Sequence, residues 1–123
     1  MLFVLLNALL IGLLDGQTFD QGRPLIQEIY VPRQLKQANS VRLNCGTVQG
    51  ELPMVFSWFF NNRQITGSDQ FQRSNFIVRT AETNSDLIIK SLSIDTIGQY
   101  SCSSSNRHGT DAQNVSILLE GDC

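Results

Sequence analysis

The chain has 123 residues, with 9 basic and 11 acidic side chains, a formal net charge of −2 and hydrophobic residues making up 41%. That is one domain's worth of chain, and its near-neutral balance with scattered basic residues gives no electrostatic handle for nucleic acid. No internal repeat or low-complexity segment divides it.

The first stretch, "MLFVLLNALLIGLL", is apolar apart from Asn7 and Gly12. It is too short to span a hydrocarbon core, which takes about 20 apolar residues, and it matches the apolar region of a secretory signal peptide. Cleavage is predicted after Gly16, making residues 1–16 a leader and 17–23 a short N-terminal segment. No second long apolar run follows, so no membrane insertion is expected of the mature chain, and any anchor would lie outside this sequence. The expected location is the secretory pathway and the extracellular space, or the cell surface if the chain is part of a longer anchored protein. Three cysteines behind a leader suggest one disulfide and one left over.

Beyond the leader, short apolar alternations separated by turn signals predict an all-β domain. "SVRLNCGTV" places Val41, Leu43 and Cys45 on one face and Arg42 and Asn44 on the other. In "VFSWFFN" Phe56, Trp58 and Phe60 fall in step, and Asn61-Asn62 then suit a tight hairpin turn. The polar stretch from Thr66 to Asn75 reads as a loop or a weak edge strand. "FIVRT" and "DLIIKSL" follow as strands on either side of the "AETNS" turn, with Leu87, Ile89 and Leu92 inward and Ile88 facing outward against the pattern. "QYSCSS" sets Tyr100, Cys102 and Ser104 on one face, "NRHG" turns the chain, and "DAQNVSILLE" closes the domain with Val115, Ile117 and Leu119 inward. Roughly seven strands at intervals near ten residues is the rhythm of a β-sandwich.

Cys45, Trp58 and Cys102 all fall on inward positions. A disulfide crossing the gap of about 10 Å between two aligned sheets, with a Trp packed against it, fits that placement. Tyr100, two residues before Cys102, fits a tyrosine corner, and Gly98 fits a tight turn entering that strand.

With these residues in order, Cys, Trp, Leu-x-Ile and Gly-x-Tyr-x-Cys, the chain resembles the immunoglobulin superfamily, and its intercysteine length suits the intermediate (I-set) type over residues 24–120. The resemblance implies a sandwich of two antiparallel sheets joined by a Cys45–Cys102 disulfide, with Trp58, Leu87, Gly98 and Tyr100 as the core signature. One position departs from it: where the family usually places an Asp two residues before the Gly, this chain has Thr96, which removes the usual partner of Arg79. More narrowly, "VQGELPMVFSWFFNNRQI", "YSCSSSNRHGT" and "PLIQEIYVP" are similar to the arthropod Down syndrome cell adhesion molecule family. That likeness implies an extracellular adhesion module that binds another copy of itself on an opposing cell through outward strand faces, as in neuronal recognition. Two other readings stay open, a soluble secreted immune or pattern-recognition binder and a heterophilic axon-guidance receptor domain.

No residue pattern points to catalysis, and no cofactor or metal is expected. His108, the only histidine, falls in a turn and reads as solvated. The serines of "SCSSSN" alternate along a strand without a nucleophile-elbow pattern, and the carboxylates are dispersed. Asn114-Val115-Ser116 is a glycosylation sequon whose Asn points outward. Cys123, in residues 121–123 after the domain, is either the edge of a linker to a missing domain or an intermolecular thiol. Arg42 and Gln99 are the outward residues on which to map a pairing face.

Overall fold

The computed structural model describes residues 22–120. The predicted leader, most of the segment before Pro24 and Cys123 lie outside them. Among the described residues eight strands form, β1 (Leu25–Ile26), β2 (Val41–Gln49), β3 (Val55–Phe60), β4 (Arg63–Gln64), β5 (Phe76–Thr80), β6 (Asn84–Ile89), β7 (Gly98–Asn106) and β8 (Gly109–Ile117), with a short helix, α1 (Gln70–Asn75), before β5. They make two antiparallel four-stranded sheets, ordered β1-β2-β6-β5 and β4-β3-β7-β8.

The inward alternation seen in the sequence builds the core. Val41, Leu43, Cys45, Leu87, Ile89 and Leu92 are buried from one side, and Trp58, Tyr100, Cys102 and Ile117 from the other. Val115 and Leu119 are only half-buried and pack on its margin.

At the centre, Trp58 stands opposite Cys102 in one sheet and Cys45 opposite Ser85 in the other. The Cys45–Cys102 disulfide joins the sheets across a sequence separation of 57. Beside it the Trp58 indole Nε1 donates to Ser85 Oγ at 3.0 Å. Two strand pairs and two cross-links thus close one four-residue square. In the chain-entropy view the disulfide adds about 4 kcal/mol by restricting the unfolded chain. The indole bond satisfies a buried donor that would otherwise be costly.

The turn into β7 is held by side chains. Tyr100 Oη donates to the Thr96 carbonyl at 2.6 Å, and burial pushes its phenol pKa well up. Thr96, fully buried, accepts from Ser93 N at 2.9 Å and donates to the Ser91 carbonyl at 3.1 Å. Its hydroxyl therefore ties this turn without any carboxylate, and Arg79 lies exposed on β5 with no ion pair among the described residues. Gly98 has φ +148°, and a Cβ there would meet Asn61 Oδ1 at 2.6 Å. That oxygen accepts from Gln99 N at 2.9 Å, so only glycine lets the β3–β4 corner close onto β7.

Two expectations need correction. The polar stretch from Thr66 to Asn75 is neither loop throughout nor edge strand, because its second half is α1. Asp69 caps the helix, accepting from Gln72 N at 2.8 Å. The buried Gln72 carboxamide then takes Thr66 N and Gly67 N at 2.8 Å each and donates to the Gln64 carbonyl at 2.9 Å. Phe71 sits 6.4 Å from Phe60 and 5.9 Å from Phe76, ring to ring, which pins the helix to the sandwich. The second correction concerns the "AETNS" turn, which shrinks to residues 81–83 because Asn84 and Ser85 already belong to β6.

Candidate recognition surface

Each sheet turns one face outward, and strand register decides which side chains meet there. On the β1-β2-β6-β5 face, one row runs Arg42–Ile88–Ile77 and the next Asn44–Asp86–Arg79. Ile77 and Ile88 are half-buried, although their parity puts them outside. Asn44 Nδ2 donates to Asp86 Oδ1 at 2.7 Å, and Arg42 Nε lies 4.0 Å from Asp86 Oδ2. Such an exposed pair adds at most about 1 kcal/mol to the fold. The face is thus an apolar pair edged by one carboxylate and two guanidinium groups.

The opposite face is built differently. Its rows are Val55–Ser105–Thr110, Ser57–Ser103–Ala112 and Phe59–Ser101–Asn114. No outward position of β3, β7 or β8 carries a charge.

The two residues chosen for mapping fall on different faces, Arg42 on the first and Gln99 on the second. Asn114 is exposed on β8, the edge strand of the sheet with the uncharged outward face. Cys45, Trp58, Leu87, Tyr100 and Cys102 belong to the interior and touch neither face, while Gly98 shapes a turn. Ile88 stood out in the sequence as an apolar residue on the wrong parity. Its partner Ile77 did not, because only the β5–β6 register brings the two side by side.

At the β7–β8 hairpin, His108 is exposed as expected of a turn residue, yet it is not alone. Arg107 donates to both carboxylate oxygens of Glu51, its NH2 group to Oε1 at 3.0 Å, and His108 Nε2 lies 3.0 Å from Glu51 Oε2. The hydrogen bond from Arg107, helped by His108, holds the Glu51 carboxyl below its ordinary range. The same bond raises the Arg107 guanidinium. Asn106 Nδ2 ties this corner to the Gly22 and Glu51 carbonyls at 2.6 and 2.9 Å. Among the described residues no three His, Cys, Asp or Glu side chains are grouped to hold a metal, and no helix is long and apolar enough to cross a membrane.

A sandwich of two antiparallel sheets cross-linked at its centre defines an immunoglobulin-type domain. The family model for the immunoglobulin I-set domain matches residues 24–119, and the chain belongs to that family. It is 30% identical over 89 residues to mouse myopalladin, covering 72% of this chain and 6% of that protein. It is 25% identical over 99 residues to mouse neural cell adhesion molecule 1, covering 80% of this chain and 9% of that protein. The chain therefore spans less than a tenth of either relative. Among solved structures, the Dscam1 Ig7 domain, isoform 5, superposes with a TM-score of 0.70 at 18% identity, covering 80% of this chain and 97% of that domain.

Proposed function

We propose that this domain is an extracellular recognition module of a cell adhesion molecule, and that it binds a second copy of itself through the β1-β2-β6-β5 face. The observation that carries the reading is the Ile77–Ile88 pair, held in register on an outward face. A water-facing sheet position normally takes a polar residue, and two adjacent isoleucines with charge around them have the make-up of an interface core and rim. A two-fold contact makes each residue pair occur twice. The mixed signs at the rim suit that geometry, since Asp86 of one copy can meet Arg42 or Arg79 of the other in both halves of the contact.

The inter-sheet disulfide supports an oxidising, extracellular setting, and the neural cell adhesion relative supports adhesion as the role. One small face binds weakly, and tandem copies in a longer protein supply strength through effective concentration.

Beads coated with the domain test the reading. Wild-type beads aggregate without any added partner, whereas Ile88→Glu beads stay dispersed and Gln99→Glu beads behave as wild type. Dispersed wild-type beads would point instead to a heterophilic partner.

A further inference from the structure

Asn114 sits in the middle of β8, and its side chain is exposed with no hydrogen bond among the described residues. Alternation puts Asn114 and Ser116 on the same outward side, while Val115 between them packs toward the core. Across the sheet Asn114 faces Ser101 and then Phe59, with Gln64 beyond. Phe59 lies two strand spacings away, about 10 Å, within reach of the first sugars of a glycan. This row offers what a carbohydrate uses, a half-exposed aromatic ring and uncharged hydroxyl and amide groups. Partner proteins would find the same face uncharged at its outward β3, β7 and β8 positions.

We infer that Asn114 carries an N-linked oligosaccharide that lies over the Ser101–Phe59 row and closes the uncharged face, leaving recognition to the opposite sheet. The donor is an oligosaccharide on a polyisoprenyl pyrophosphate in the secretory pathway, an oxidising compartment of the kind in which disulfides form and persist. Asn114 Nδ2 attacks the anomeric carbon and a C–N bond forms. The C–O bond to pyrophosphate breaks, the pyrophosphate leaves with that electron pair, and one amide proton is lost to base. The inference does not depend on which protein binds the other face.

The test expresses the full chain in cultured animal cells and maps the Asn114 peptide by mass spectrometry. It then compares hydroxyl-radical oxidation of Phe59, Tyr30 and Ile88 in wild type, Ser116→Ala and Asn114→Gln. Expected are a sugar on Asn114 in the wild type alone, a several-fold lower oxidation of Phe59 in the glycosylated chain, and equal oxidation of Ile88 in all three. An unmodified Asn114 in the wild type overturns the inference. So does a glycosylated chain whose Phe59 is oxidised as fast as in the variants, or one protected at Tyr30, beside the β8 edge, in place of Phe59. Failure of self-association in the bead assay would sink the proposed function and leave this inference standing.

Discussion

The two outward faces of the sandwich differ in what sits at their centre. On the β1-β2-β6-β5 face an isoleucine pair lies within reach of Arg42, Asp86 and Arg79. Serines, Thr110, Ala112 and Asn114 fill most of the β3-β7-β8 face, with Val55 and Phe59 as its larger apolar side chains. Both faces come from strands of similar alternation, and both are anchored to one interior through Cys45, Cys102 and Trp58. The difference therefore owes nothing to the fold. It shows that inward positions are set by packing, whereas outward ones are free to be spent on binding or on cover.

The largest way to break the comparison is to remove what both faces share. Cys45→Ala with Cys102→Ala is expected to lower unfolding free energy by about 4 kcal/mol, read as a shift in the denaturant midpoint of the purified chain. Both faces should lose their order in the same transition.

A smaller and more selective effect separates them. Ile88→Glu is expected to weaken self-association about thirtyfold or more, the equivalent of about 2 kcal/mol. Its thermal unfolding should fall only modestly, because the side chain is half-buried on the outward side and leaves the interior intact. The same charge introduced at Gln99 should change neither quantity. Equal losses from both variants would erase the distinction between the faces.

Gln72→Ala sharpens the comparison from the flank. It leaves the Thr66 and Gly67 amides without their acceptor, at an expected cost of about 1–3 kcal/mol by chemical denaturation. Pairing should be unchanged, since α1 lies on neither face.

The smallest effect is electrostatic. Glu51 titrates below its ordinary range in the folded chain, chiefly through its hydrogen bond from Arg107. A lowered folded-state pKa gives stability that is present above the unfolded-state value and lost as pH falls through the folded one. Comparing Glu51→Gln with wild type in denaturant at neutral pH and in acid checks this. The wild type should lead slightly at neutral pH, the gap should close in acid, and added salt should narrow it because the pair is exposed.

Sequence alone carried the interior well, because strand parity and the Cys, Trp and Tyr spacing are local signals that the core obeys. It also carried the anomaly at Ile88. What it missed depends on contacts between distant segments. Ile77 gains meaning only when the β5–β6 register sets it beside Ile88. The short helix α1 has six residues, too few for a hydrophobic period to show, although Asp69 three residues before Gln72 was a legible capping pattern. Thr96 read as a missing carboxylate, yet its hydroxyl satisfies the turn that Tyr100 closes. The Glu51–Arg107–His108 corner joins positions more than fifty residues apart, which no local pattern marks.

The most direct test of the central claim is sedimentation equilibrium of the secreted chain across a wide concentration range. It needs Cys123→Ser to exclude a covalent dimer, measured with and without Ile88→Glu. The account predicts a reversible monomer–dimer equilibrium that Ile88→Glu shifts toward monomer by about thirtyfold or more. A chain that stays monomeric at every concentration, or a dimer indifferent to Ile88→Glu, would contradict it.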